Sequence, residues 1–140
     1  MIEIKEKIPQ GLKGEIKVAL DKRLGEVSQK DIQKVNSEIE AKTLLISKSH
    51  QFWERKIAVY AEALFKIVET GEATMIEEME PFQLLIYATL NYFVDDFDLI
   101  PDYIMQDGYV DDALMINLCV KRLPKEQKNV FYSHVSQDSL

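Results

Sequence analysis

The chain has 140 residues, of which 46% are hydrophobic and 29% charged, and its formal net charge is −7 at pH 7. This length suits one domain with its own core, and the composition excludes an intrinsically disordered protein. One cysteine, Cys119, excludes an internal disulfide, and its apolar neighbours in LMINLCV predict a buried core thiol. The longest charge-free apolar segment, residues 82–94, falls short of the roughly 20 residues that span a membrane. Because the N-terminus also lacks the pattern of a secretory signal, we expect a soluble, cytoplasmic protein.

The first part of the chain predicts two helices. Pro9 can begin the first, which ends near Gly25. The sequence SQKD at residues 28–31 is a capping box that begins a second helix, predicted over 28–50. The apolar stripe of this second helix consists of Ile32, Val35, Ile39 and Ile46. Its spacing is close to a heptad seam, so two hypotheses stay open, contact with another chain and packing within the same domain.

Helical periodicity continues to the end of the sequence. A third helix is predicted over about 51–69, and Pro81 begins an aromatic-rich helix over 81–94. A further helix covers 110–122, and a last amphipathic helix follows Pro124 to about residue 135. We therefore predict an all-α fold, a compact single-domain bundle of five or six helices with an Asp-rich ordered corner between two core helices.

Charge is distributed unevenly along the chain. Residues 67–120 contain twelve acidic and no basic residues, whereas residues 1–66 contain thirteen basic and ten acidic residues. Nucleic acid is excluded as a partner for the acidic segment, because nucleic-acid affinity depends on basic side chains that displace counterions. We expect the partner to be a basic protein surface or a second copy of the chain, with helix 28–50 as the seam for self-association.

The acidic segment culminates in DDFDLIPDYIMQDGYVDD, residues 95–112, which contains seven aspartates. In a structural interpretation, Asp98 and Asp102 bond to backbone N–H groups of a tight corner. Asp111 and Asp112 fall in the first turn of the following helix, where the helix dipole favours each carboxylate by about 0.3–1 kcal/mol.

A metal site is the alternative interpretation of the same aspartates. Asp98, Asp102, Asp111 and Asp112 would converge as oxygen ligands for Mg²⁺, Mn²⁺ or Ca²⁺, because no basic residue nearby in the sequence neutralises them. The spacing does not match a calcium-binding EF-hand loop. We favour the structural role and expect no cofactor, and the metal interpretation stays open.

The block YATLNYFVDDFDLIPDYIMQDGYVDDALMI resembles the YkvA-like domain of bacteria, through DLIPD followed by GxxDD. The residues that carry the resemblance are Tyr92, Phe93, Asp98, Leu99, Ile100, Pro101, Asp102, Gly108, Asp111 and Asp112. It covers about residues 60–123 and leaves 1–50 as an N-terminal helical extension within a single domain, 1–140. The resemblance implies a small helical fold, but the family has no established activity to transfer.

The sequence therefore predicts a small acidic binding or scaffold module that acts through protein–protein interaction, rather than an enzyme. It contains no phosphate-binding glycine loop, GxSxG, HExxH or CxxC motif, and we assign no catalytic or cofactor-binding residue. The alternative is a divalent-metal-dependent hydrolase of a phosphate-containing small molecule. Glu77-x₂-Glu80 and Asp95-x₂-Asp98 resemble the paired acidic motifs of all-α nucleotide pyrophosphohydrolases, in which both pairs lie on helices.

Overall fold

The computed structural model describes residues 1–71, 74–95 and 109–138, with side chains to residue 135. Within these residues the fold consists of helices and contains no strand, which confirms the all-α prediction. The six α-helices are α1 Leu12–Glu26, α2 Gln29–Ser47, α3 Phe52–Glu69, α4 Pro81–Val94, α5 Val110–Arg122 and α6 Lys125–Asp138, with a 3₁₀ helix at Ile76–Glu78. Most of the predicted Asp-rich corner, including Asp98, Asp102 and Gly108, lies outside the described residues.

Local sequence signals explain where most helices begin. The Ser28 hydroxyl accepts the backbone N–H of Asp31, and the Asp31 carboxylate accepts the N–H of Ser28, which completes the predicted capping box of α2. Pro81 occupies the first turn of α4, where its missing N–H costs no helical hydrogen bond. Helix α1 begins three residues later than Pro9 suggests, because Gly11 precedes it with a left-handed φ of 83°.

Helix α4 lies at the centre of the fold. It packs against α1, α2, α3 and α5, and eleven of its fourteen residues are buried. A helix surrounded by other helices needs an apolar surface on nearly every side, which accounts for the charge-free sequence of α4. The central position of α4 determines which residues of the N-terminal helices meet the acidic segment that follows it.

The apolar stripe of α2 faces this central helix and α3. Its members Ile32, Val35, Ile39 and Ile46 are at most 4% exposed within the single chain. The hypothesis that this stripe forms a seam with another chain is therefore wrong, because the same side chains fill the interior of the protein. Residues 1–50 are structurally joined to the remainder, since α1 packs on α4 and α5 while α2 packs on α3 and α4.

Two further sequence expectations can be compared with the fold. Cys119 of α5 is fully buried, and burial raises the pKa of its thiol to about 12, so the prediction of a core thiol is confirmed. Within the described part of the chain, no helix combines the length and apolar character needed to cross a bilayer.

Candidate functional site

The junction between α4 and α5 carries the described aspartates of the Asp-rich segment. Asp111 and Asp112 lie in the first turn of α5, as predicted, with Tyr109 as the N-cap residue. Both side chains are buried, with relative exposures of 0% and 1%. The sequence did not predict this burial. The other two candidates, Asp98 and Asp102, lie outside the described residues.

A side chain of α4 binds the buried carboxylate of Asp111. The Tyr92 hydroxyl donates a hydrogen bond of 2.7 Å to Oδ2 of Asp111, and Tyr92 is itself only 2% exposed. A short O–H···O⁻ hydrogen bond of this kind is about twice as strong as a neutral one. The carboxylate therefore has a partner on another helix in addition to its favourable place near the helix dipole.

Helix α1 brings an arginine to the end of α4. The Arg23 guanidinium donates to Oδ1 of Asn91 and, at 3.0 Å, to Oδ2 of Asp95, the C-cap residue of α4. Its central carbon also lies 5.0 Å from the ring centroid of Tyr92, in cation–π geometry. Arg23 thus contacts an aspartate of the acidic segment and the tyrosine that binds Asp111.

A lysine of α2 reaches the other side of the junction. The Lys42 ammonium lies 5.7 Å from the ring of Phe93 and 5.8 Å from the ring of Tyr109. Two basic side chains from the N-terminal helices therefore lie beside the acidic segment, although none is near it in the sequence. No sequence pattern indicated Arg23 or Lys42, since each resembles an ordinary charged position of a solvated helix face and meets its partners only through packing.

One member of each acidic pair in the hydrolase hypothesis, Glu80 and Asp95, lies at an opposite end of α4, and Asp98 lies outside the described residues. Glu77 lies in the 3₁₀ helix, and Glu80 is the N-cap of α4, where its carboxylate accepts the backbone N–H of Gln83. Asp95 lies at the opposite end of the same helix, about 20 Å away at 1.5 Å per residue. Glu80 and Asp95 therefore cannot hold one metal ion together. Across the described ranges, no group of three or more His, Cys, Asp or Glu side chains is placed to bind a metal.

A groove runs between α2 and α3 on another face of the protein. Its larger part has a volume of about 420 Å³, and an adjoining part of about 330 Å³ shares four of its lining residues. The shared residues are Ile39, Glu40, Phe65 and Glu69. Gln29 closes one end, because its side-chain amide accepts the N–H of Ile76 and donates to the carbonyl of Thr74, both at 2.9 Å.

The groove combines an apolar floor with a rim that holds three glutamates and one lysine, Lys66. Glu40, Glu62 and Glu69 are exposed, and their carboxylates form no ion pair among the residues that the structure describes. The Tyr87 hydroxyl lies in the same groove and donates to Oδ1 of Asn36 at 3.3 Å. Burial, and to a smaller extent the nearby charge of Glu69, raises the pKa of Tyr87. This arrangement can accept a cationic group with an aliphatic stem.

The comparisons with known proteins concern the α4–α5 junction. Residues 84–118 match the model of a family described as "Protein of unknown function (DUF1232)". The match covers a quarter of the chain, from Leu84 in α4 to Leu118 in α5, and includes Tyr92, Asp111 and Asp112. No curated protein and no solved structure was found to match the chain. The chain is therefore similar, over this segment, to a family whose function is described as unknown.

Proposed function

We propose that this protein is a small acidic binding module, YkvA-like in its α4–α5 segment, which takes a basic segment of a partner protein into the α2–α3 groove. The observation that carries the proposal is the combination of three exposed carboxylates, which form no ion pair among the described residues, with an apolar floor in one continuous groove. A bacterial cytoplasmic partner rich in lysine or arginine has the complementary chemistry.

The groove suits long basic side chains in particular. The aliphatic stem of a bound lysine or arginine would lie on Ile39, Val68 and Phe65, while its charged end meets Glu40 and Glu69. Exposed ion pairs contribute only about 0.2–1 kcal/mol each, so useful affinity requires several of them together with burial of the stems. Binding should therefore weaken as salt is added, because exposed charges are screened over about 10 Å at 0.1 M ionic strength.

The buried acids have a different role in this proposal. Asp111 and Asp112 contribute to the fold at the α4–α5 junction rather than to recognition, because they are buried in the absence of any partner. No observation on the described residues favours a metal-dependent hydrolase, so the binding function is the single candidate.

The experiment is a fluorescence-anisotropy titration of a labelled lysine- and arginine-rich peptide. Replacing both Glu40 and Glu69 with Gln should weaken binding about twofold to thirtyfold, from two exposed charge contacts of about 0.2–1 kcal/mol each. The matched control replaces Glu15 and Glu38 with Gln. These residues are exposed and outside the groove, and the control changes the net charge equally.

Two outcomes would contradict the proposal. Equal weakening in both double variants would show that the peptide responds to net charge and does not use the groove. Unchanged affinity in the Glu40 and Glu69 variant, with binding intact in the native protein, would place the peptide on another surface.

A further inference from the structure

The corner between α2 and α3 exposes three large apolar side chains within nine residues. Leu44 and Leu45 in the last turn of α2 are 57% and 61% exposed, and Phe52 at the start of α3 is 65% exposed. Single exposed apolar side chains are ordinary on protein surfaces, but a cluster of them indicates an interaction site. We refer to residues 44–56 as the α2–α3 corner.

The corner is an ordered turn. The backbone N–H groups of Lys48 and Ser49 donate to the carbonyls of Leu45 and Ile46, and the Arg55 guanidinium donates to the Ser49 carbonyl at 2.8 Å. The exposed side chains therefore project from a convex and fixed backbone.

Charges that face outward at the corner are positive. Lys48 is exposed, and the cationic groups of Arg55 and Lys56 lie 5.6 Å and 5.2 Å from the ring centroid of Phe52. The acidic residue of this segment, Glu54, is buried, and its carboxylate accepts a hydrogen bond from the Ser49 hydroxyl. An aromatic ring flanked by two cations thus lies in the same corner as the two exposed leucines.

A pocket of about 210 Å³ adjoins Phe52. Glu3, Lys5, Gln51, Phe52, Trp53 and Lys56 line it. Trp53 is 3% exposed, and among the described residues its indole N–H has no hydrogen-bond acceptor, which is costly for a buried donor. Lys5 pairs with Glu3 at 2.7 Å, so the pocket holds two lysines and one carboxylate at the positive N-terminal end of α3. Its net positive charge fits an anionic group such as a phosphate.

We propose that the α2–α3 corner docks on the surface of a membrane that contains anionic lipids. The two leucines and Phe52 would enter the boundary between headgroups and acyl chains, while Lys48, Arg55 and Lys56 meet lipid phosphates and the pocket holds one headgroup. A bilayer is the partner that presents a layer of phosphates directly above hydrocarbon, which matches apolar tips surrounded by cations on a convex corner.

The acidic groove extends from the corner along α2 and α3. Glu40 lies four residues from Leu44, about 6 Å along α2, and Glu62 lies ten residues from Phe52, about 15 Å along α3. Membrane docking does not depend on the groove binding a peptide.

The test is co-sedimentation of the full chain with vesicles of phosphatidylcholine, with and without phosphatidylserine. We expect binding to the anionic vesicles alone, weakened by salt. Lys56→Glu replaces a cation by an anion and should weaken binding at least fivefold, the factor that corresponds to about 1 kcal/mol per basic residue at such a surface. Phe52→Ser should weaken it about tenfold, through loss of apolar burial.

Matched controls lie on α1, which packs on α4 and α5. Val18→Ser removes an apolar side chain that is 67% exposed, and Lys17→Glu makes the same charge change at an exposed site. Both should bind vesicles like the native chain, and circular dichroism should show that all four variants fold. Absence of vesicle binding, or equal loss in the α1 variants, would overturn the proposal. A third result would also overturn it. If sedimentation of the protein alone shows that Phe52→Ser abolishes self-association, and vesicle binding is unchanged, the corner is a contact between protein chains.

Discussion

The acidic residues of the α4–α5 junction and those of the α2–α3 groove have the same chemistry and opposite environments. Asp111 is fully buried and bound by Tyr92, and Asp95 is largely buried and paired with Arg23. Glu40 and Glu69 are exposed and form no ion pair among the described residues. A buried charge without its partner is strongly destabilising, whereas an exposed one costs little. Charge in the junction therefore supports the fold, and charge in the groove is available for recognition.

At neutral pH the largest effect should come from the buried acid. Asp111→Asn keeps the shape of the side chain and removes the charge that the Tyr92 hydroxyl meets, so it should lower the free energy of unfolding by about 1.5–3 kcal/mol. Urea denaturation measures this change. Tyr92→Phe and the double variant complete a cycle that isolates the energy of the pair.

The matched control for this prediction is Glu69→Gln in the groove, which should change stability by less than about 0.5 kcal/mol. Equal changes for Asp111→Asn and Glu69→Gln would remove the distinction between the two regions. A coupling energy near zero between Tyr92 and Asp111 would show that their hydrogen bond contributes nothing to stability.

The helices themselves were largely predictable, because their signals are local. Pro81 and the apolar run of α4 gave the bounds 81–94, and helix 110–122 was also predicted at the residues where α5 lies. The capping box at Ser28 marks the start of α2 in both sequence and structure. Each of these signals acts over a few residues, so no knowledge of packing is needed to use it.

The candidate site was only partly predictable, because its contacts between helices form through packing. Arg23 and Asp95 are 72 residues apart, and nothing in their local sequences relates them. Lys42 meets Tyr109 only because α2 lies against the central helix. The apolar stripe of α2 was compatible with two partners, since heptad-like spacing does not distinguish another chain from the protein's own α3 and α4.

A second prediction concerns the buried thiol, and it sharpens the comparison by using pH. Cys119 has a folded-state pKa of about 12, against a reference value of 9.0, because burial disfavours the thiolate. The unfolded chain therefore releases this proton first, so the stabilising contribution is present below pH 9 and is lost as pH rises from 9 towards 12. In that interval the free energy of unfolding should fall by up to about 1.4 kcal/mol per pH unit.

The control for the thiol is Cys119→Ala, measured by urea denaturation over the same pH range. Lysine and tyrosine residues also titrate there, but their effects are common to both proteins. The difference in the free energy of unfolding between the native protein and the variant should therefore fall as pH rises above 9. A difference in the free energy of unfolding that stays constant with pH would mean that the fold does not keep the thiol protonated. Rapid labelling of the native protein by a bulky thiol reagent would mean the same.

A third prediction compares two ion pairs. Arg23→Lys keeps the charge but cannot reproduce both hydrogen bonds and the contact with the Tyr92 ring, so it should lower stability by about 1 kcal/mol. The matched control is Arg122→Lys, whose partner Asp21 is 53% exposed, and it should cost less than about 0.5 kcal/mol. Urea denaturation of both variants measures the two effects. Equal shifts of the urea midpoint would contradict the comparison.

The smallest expected effect is that of divalent ions, which tests the metal interpretation of Asp98, Asp102, Asp111 and Asp112. If the buried aspartates of the junction are held by protein groups such as Tyr92, then Mg²⁺, Mn²⁺ or Ca²⁺ should leave the melting temperature unchanged, and EDTA should do the same. A metal that binds only the folded state would instead stabilise it by about 2.7 kcal/mol at a hundredfold excess over its dissociation constant. For a chain of this length that corresponds to a rise of several degrees. Asp111→Asn separates the two cases. If the junction is a metal site, the melting temperature of this variant should no longer respond to the ion. If the carboxylate is structural, the substitution should lower the melting temperature by the same amount with the ion and with EDTA. A rise of several degrees in the native protein, abolished by Asp111→Asn, would show that the junction is a metal site.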